Sequence, residues 1–296
     1  MILTSSNLTY RPIRAFVDVA LAVLAFALSD AITKHLTINY PVSIVVFARY
    51  AIGLIILSAL SYPSNGSHLW STTNTLLVVV RAFCLAFASL TLGFALKLMP
   101  LAETISIVYL APFLVMIAAK TFLNERVSAT GWFSAMCGFI GVIVIVRPSS
   151  GLNSFGVGLV LINVIFAVAY HILTRLLTSS ETTLAMLFHT LWIGSIFFGA
   201  LSISSNFPIS NLTIFDTFLF LILGVCAMTG HFLFTSAYRY APASQLAPVN
   251  YLHIVWASGL GWIIFNQVPT TLSSIGIMLI IAAGIFAALY GYPDKR

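Results

Sequence analysis

The chain has 296 residues, of which 60% are apolar and only 7% charged, with a formal net charge of +6. A soluble globular domain carries roughly 25% charged residues, and 13 basic plus 7 acidic side chains cannot wet the surface of a chain this long. The composition excludes a soluble enzyme, a disordered chain and a nucleic-acid binder. The class that remains is an integral membrane protein.

A helix needs about twenty apolar residues to cross ~30 Å of hydrocarbon. In chain order, breaks at polar, charged or Gly/Pro/Asn-rich segments leave ten spans, roughly 14–34, 40–61, 74–97, 99–120, 127–147, 155–175, 182–203, 213–237, 242–265 and 269–290. The first follows a polar N-terminus with Arg11 and Arg14 and is longer than the apolar core of a signal peptide. The breaks are short and leave no room for a soluble domain. Barrel strands would alternate polar and apolar residues, which these blocks do not. The expected fold is therefore an all-α integral membrane protein of ten transmembrane helices. Cys84, Cys137 and Cys226 sit in apolar blocks without metal-ligand spacing and read as small buried hydrophobes. No cofactor is called for.

Lys and Arg near the span ends set orientation. With the N-terminus inside, the inner segments hold Arg11, Arg14, Lys120, Arg126, Arg175, Arg239, Lys295 and Arg296, and the outer ones Lys34, Lys97 and Arg147. This bias predicts both termini in the cytoplasm and a multi-pass location in the cell inner membrane.

The chain also repeats itself. At an offset of 141, residues 24–60 overlay 165–201, with Thr33/Thr174, Thr37/Thr178, Phe47/Phe188 and Gly53/Gly194 identical and Lys34 on Arg175. At an offset of 142, Ala95-Leu96-Lys97-Leu98-Met99-Pro100 falls on Ala237-Tyr238-Arg239-Tyr240-Ala241-Pro242, Glu103 on Gln245, Tyr109 on Tyr251 and Asn124-Glu125 on Asn266-Gln267. The two units run over 14–147 and 154–291. Five spans is an odd number, so the halves insert with opposite orientation. Inverted repeats of this kind mark secondary carriers that alternate access around a midplane site.

Phe94-Ala95-Leu96-Lys97-Leu98-Met99-Pro100-Leu101-Ala102-Glu103 through Pro112, then Phe122-Leu123-Asn124-Glu125 and Gly138-Phe139-Ile140-Gly141-Val142, resembles the EamA half-domain, as does Asp30-x-x-x-Lys34 followed by Arg49 and Arg81. The resemblance implies a member of the drug/metabolite transporter superfamily, with ten helices in two inverted five-helix halves. The second half departs from the pattern: Thr190 stands in place of Arg49, and Gln267 in place of Glu125.

An ionisable residue at mid-bilayer costs ~2.5–3.5 kcal/mol or more, so each one calls for a partner or a role. Arg49 lies about eight residues into its span, ~12 Å deep, and Arg81 is similarly deep. Asp30 to Arg49 and Asp18 to Arg81 are the expected pairs between helices, and Asp30 with Lys34 a local one. The alternative for the arginines is contact with a substrate carboxylate or phosphate. Glu103, at the start of span 4, reads as a carboxylate favoured by the helix N-terminus or as a cation or proton site, with Gln245 its mate at the inner mouth. Tyr109 and Tyr251, flanked by Asn250 and His253, form the midplane candidates, next to Pro112 and Pro248 that free backbone carbonyls. His231, Phe26 and Arg81 complete the candidate binding group. Coupling or gating falls to Glu103, Asp30, Arg49 and Gln245. Gly131, Gly138, Gly141, Gly276 and Gly284 allow spans 5 and 10 to pack closely.

Together these readings predict a secondary active transporter of a small polar or amphipathic metabolite, an amino acid or related compound. A site with few fixed charges suits a zwitterion better than a polyanion. The alternatives are an importer of a nucleoside-like or S-adenosylmethionine-like solute, and then a lipid flippase or channel. Asp18 and Asp30 lie ~18 Å apart on one span, and no HExxH motif occurs, which argues against an intramembrane enzyme. Partners are the solute and the bilayer, with a monomer expected and a homodimer as the alternative.

Overall fold

The computed structural model describes residues 11–111, 113–115, 117, 129–147, 151–178, 180–203, 212–237, 240 and 249–290. Among the described residues the regular structure is helical throughout. The helices are α1 (Pro12–Asn39), α2 (Val42–Asn65), α3 (Thr75–Leu98), α4 (Leu101–Val108), α5 (Ala129–Val146), α6 (Ser154–Leu177), α7 (Thr183–Ile203), α8 (Ile214–Ala237), α9 (Leu252–Phe265) and α10 (Thr271–Tyr290), with a 3₁₀ turn at Gly66–Leu69. This is the ten-helix order expected from the apolar blocks. Six of the helices (α1 to α3 and α6 to α8) are long and apolar enough to cross a membrane on their own.

Local chemistry fixes the helix ends. Pro12 opens α1, where its missing N–H costs nothing. Asn153 accepts the Gly156 N–H at 2.9 Å to cap α6. Thr213 accepts the Asp216 N–H at 3.0 Å and donates to the Asp216 carboxylate at 2.7 Å, which caps α8. Outward faces carry Ile55, Ile203, Ile214 and Phe218, all exposed. Such apolar faces are stable only against hydrocarbon.

The predicted span 99–120 is not one continuous helix. α4 stops at Val108, Tyr109 takes a turn conformation (φ −71°, ψ 4°), and helix resumes at residues 110–111 and 113–115. Pro112 has no N–H to give the Val108 carbonyl, so a break here follows from the sequence. In the second half, Tyr251 interrupts helix between residues 249–250 and Leu252. The two breaks occupy equivalent positions in the repeat. Broken helices at membrane depth are tolerated where protein or a cavity covers the freed backbone.

The packing obeys the repeat. α1 lies along α8, and its counterpart α6 lies along α3; α2 touches α8 as α7 touches α3. α2 pairs with α7, α4 with α9 and α5 with α10, each helix against its own counterpart. Such a contact pattern maps onto itself when the halves are exchanged, as a pseudo-two-fold axis requires. The crossing of α2 and α7 shows it at atomic scale: a Cβ on Gly53 would meet Leu191 at 3.1 Å, and one on the equivalent Gly194 would meet Tyr50 at 2.3 Å. α5 and α10 cross where Gly141 faces Gly276, each glycine's Cβ position within 2.8 Å of the other's carbonyl oxygen. Gly138 admits the Phe113 ring in the same layer. The surroundings of Gly131 lie outside the described set.

Candidate functional site

Polar and aromatic residues from both halves meet between the long helices, near the two helix breaks. Tyr109 donates its hydroxyl to the Asn250 carbonyl, so the break in one half is tied to the break in the other. The Tyr109 ring lies 5.2 Å from the Tyr251 ring and 5.9 Å from the His253 ring. Tyr251 fits because Gly284 of α10 leaves room for its ring: a Cβ there would overlap the ring at 1.8 Å. His253 and Asp30 approach to 3.2 Å, both buried, linking α9 to α1. The contact is an ion-pair distance without hydrogen-bond alignment, and the His253 Nε2 has no hydrogen-bond partner.

Phe26, one turn before Asp30 on α1, stands between two histidines. Its ring centroid is 6.3 Å from His253 and 4.8 Å from His231 of α8. His231 Nε2 is 3.4 Å from Arg49 Nη2. A guanidinium has only donors, so a hydrogen bond there requires an unprotonated Nε2. Beyond His231 lie Tyr170, at 6.3 Å between rings, and His171. Arg81 closes this end, with its guanidinium 4.4 Å over the Tyr170 ring. The strip therefore runs from a carboxylate at Asp30, past phenyl and imidazole rings, to two guanidiniums.

The expected ion pairs do not form. Asp18 reaches Arg14 on its own helix, at 3.8 Å. Arg81 faces α6 and α7 instead: it donates to Thr174 Oγ1 at 2.7 Å, Thr190 Oγ1 at 2.9 Å, the Tyr170 hydroxyl at 2.9 Å and the Met186 carbonyl at 3.3 Å. Arg49 turns to α8 because α2 packs there, and so leaves Asp30 to His253. The local Asp30–Lys34 pair gives way as well. Lys34 donates to the Leu96 and Met99 carbonyls at 2.7 and 2.6 Å, which lashes α1 to the turn between α3 and α4. Glu103 is buried in the first turn of α4, near the Lys34 charge and the Ser273 hydroxyl of α10. Gln245 lies outside the described residues.

Several contributors were not singled out from the sequence: Tyr170, Thr174, Thr190 and Gln267. The repeat held a signal for three of them. Thr190 is the counterpart of Arg49, Thr174 of Thr33, and His171, beside Tyr170, of Asp30. Leu223 is the counterpart of Arg81. This difference accounts for the buried hydroxyls of Ser29 and Thr33, which have no hydrogen-bond partner: their equivalents Tyr170 and Thr174 serve Arg81, and Leu223 offers no donor. Gln267 accepts the Leu101 N–H at 3.3 Å and thereby caps α4.

The family model described as "EamA-like transporter family" matches residues 15–147 and 154–289. The chain is 27% identical over 272 residues to the pseudopaline exporter CntI of Pseudomonas aeruginosa, covering 90% of this chain and 94% of that protein. It is 25% identical over 293 residues to a riboflavin transporter of Rhizobium johnstonii, covering 96% and 95%. It is 24% identical over 278 residues to an S-adenosylmethionine uptake transporter of Rickettsia bellii, covering 93% and 92%. A protein of known crystal structure shares the fold with a TM-score of 0.68 at 18% identity, over 94% of this chain and 96% of that one.

Proposed function

We propose that this chain, which belongs to the EamA-like transporter family, is a secondary carrier that moves a small zwitterionic metabolite, an amino acid or related compound, by alternating access. That it is a multi-pass membrane transporter of small molecules follows from its family, its apolar helices and the relatives it matches along almost their whole length. The finer reading rests on one observation: the strip between the helices carries a carboxylate at Asp30 and a guanidinium at Arg49, with aromatic rings between. A zwitterion matches both poles, whereas a polyanion finds too few cations and an apolar solute would leave both charges uncompensated.

The inverted halves supply the motion. Exchanging the conformations of two pseudo-equivalent units opens the strip to one side and then the other, with breaks at Tyr109 and Tyr251 as the points of bending. We place both termini in the cytoplasm and the chain in the inner membrane, on the distribution of Lys and Arg. Net direction is set by the gradients. The alternative solute, a nucleoside-like or S-adenosylmethionine-like molecule, is favoured by the Tyr109–Tyr251–Phe26 rings, which suit a planar heterocycle.

The test is counterflow in proteoliposomes, loaded with each of the twenty amino acids in turn and supplied with trace label outside. Accumulation of one or a few labels, abolished in Asp30→Asn, supports the reading. Absence of counterflow with every amino acid, from protein shown to be folded, overturns it.

A further inference from the structure

Of the two buried arginines, one is already satisfied by the protein. Arg81 is 1% exposed, makes four hydrogen bonds to neutral acceptors and stacks on Tyr170. A carboxylate could bind it in two-pronged fashion only by dismantling that shell. Arg49 differs on every count. It is half-buried, and among the described residues the one side chain in hydrogen-bonding reach is the His231 imidazole, at 3.4 Å and too long for a strong charge-assisted bond.

Charge bookkeeping sharpens the contrast. The chain has 7 acidic residues. Asp18 pairs with Arg14, Asp30 with His253, and Asp216 with Tyr40 and Thr213. Glu181 accepts the Thr73 and Asn74 N–H groups at the far end of α3, and Glu103 sits by Lys34. Glu125 and Asp294 lie outside the described residues. Arg49 lies 3.4 Å from His231, whose ring is 6.3 Å from Tyr170, and Tyr170 in turn touches His171 and Arg81; among the described residues no carboxylate joins them. Arg49, without a shell of neutral acceptors such as Arg81 has, is the cation here that an anion would stabilise.

We propose that Arg49 is the anion-selecting residue of the carrier: the carboxylate of the solute displaces the His231 imidazole and takes two parallel N–H···O bonds from the Arg49 guanidinium, while Arg81 acts only as a positioning residue for the surrounding helices. This rests on the carrier reading above and deepens it by naming which charged group of the solute is recognised, and where. His231, released, lies beside the bound carboxylate and turns a ring N–H towards it. The Phe26 ring, in contact with His231, packs on the apolar part of the solute.

The test uses proteoliposomes and three probes, L-phenylalanine, its amide and phenethylamine, so that the carboxylate is present, neutralised or removed at constant ring size. Wild type is expected to prefer the acid over its amide by about 10–100-fold in kcat/KM, the range set by hydrogen bonds to a charged group. Arg49→Gln erases the preference, and Arg49→Lys, which keeps the charge but not the fork, restores part of it. Arg81→Gln lowers the yield and thermal midpoint of folded protein, whereas Glu181→Gln, which acts at the end of α3 away from the strip, leaves the acid-to-amide ratio unchanged. Equal wild-type uptake of acid and amide, or an Arg49→Gln variant that still prefers the acid, overturns the proposal and leaves the carrier reading standing. Uptake of none of the three by folded wild type counts against the amino-acid reading itself, and this proposal falls with it.

Discussion

Gly194→Ala tests the crossing of α2 and α7 on the pseudo-two-fold axis. An alanine methyl at this position lies 2.3, 2.5 and 2.7 Å from Cδ1, Cε1 and Cγ of Tyr50. The ring has no easy retreat: its hydroxyl is 2.8 Å from Ser89 Oγ, and its face is stacked on Phe198 at 5.5 Å. Overpacking of a closed site costs ~1–3 kcal/mol. The equivalent Gly53→Ala places its methyl 3.1 Å from the Leu191 Cδ2 and 3.3 Å from the Met228 Cβ, so a small rotation of one flexible leucine absorbs most of the strain, at under ~1 kcal/mol. At roughly 2–4 °C per kcal/mol, the Gly194 variant loses several degrees in thermal midpoint and the Gly53 variant about one or two. The assay is fluorescence-detected unfolding of purified protein in detergent, together with the double variant Gly194→Ala, Tyr50→Leu. Removing the ring relieves the clash, so the double variant is less destabilised than the two single losses added together. Equal midpoints for the two glycine variants, or simple additivity with Tyr50→Leu, would refute the packing described for this crossing.

Lys34→Met removes both bonds that lash α1 to the α3–α4 turn. At ~1.5–3 kcal/mol for a charge-assisted bond, the loss lowers the thermal midpoint of the purified protein by several degrees. Glu181→Gln weakens the acceptance of two backbone N–H groups at the start of α3, lowering stability by ~1–2 kcal/mol, measured as thermal midpoint. Tyr40, in the turn between α1 and α2, is buried and donates to Asp216 at 2.7 Å; burial first, then that carboxylate, raises its phenol above the ordinary value of 10.0. The protonated phenol is thus favoured by folding. Its contribution is complete below pH ~10 and is lost as pH rises through the elevated folded-state value, so Tyr40→Phe lowers the midpoint through the lost bond to Asp216 and flattens the alkaline limb of the midpoint-against-pH curve.

The bundle was legible in the sequence because hydrocarbon imposes a length on every apolar block, and the repeat was legible because Gly53/Gly194 and Tyr109/Tyr251 are not residues that apolar composition supplies by chance. The break at Tyr109 was half legible: Pro112 announced freed carbonyls but not where the helix would bend. The ion pairs were not. Depth along a span says at what level Arg49 and Arg81 lie, not which neighbour they face, and the facing is decided by α2 packing on α8 and α3 on α6. The Lys34 bonds to main-chain carbonyls had no sequence signal, since carbonyls are everywhere. The orphaned hydroxyls of Ser29 and Thr33 had no signal of their own; they follow from Leu223 standing where the first half has Arg81.

The most direct test of alternating access around this strip is the accessibility of one position from both sides. In a variant with Cys84, Cys137 and Cys226 replaced by serine, Phe26→Cys is treated with a membrane-impermeant thiol reagent, in right-side-out and in inside-out vesicles. A carrier of this design exposes the residue to each face in turn, so labelling proceeds in both preparations, and locking one face with a bulky blocker at that end suppresses labelling from that face alone. Labelling from a single face under every condition would contradict the account.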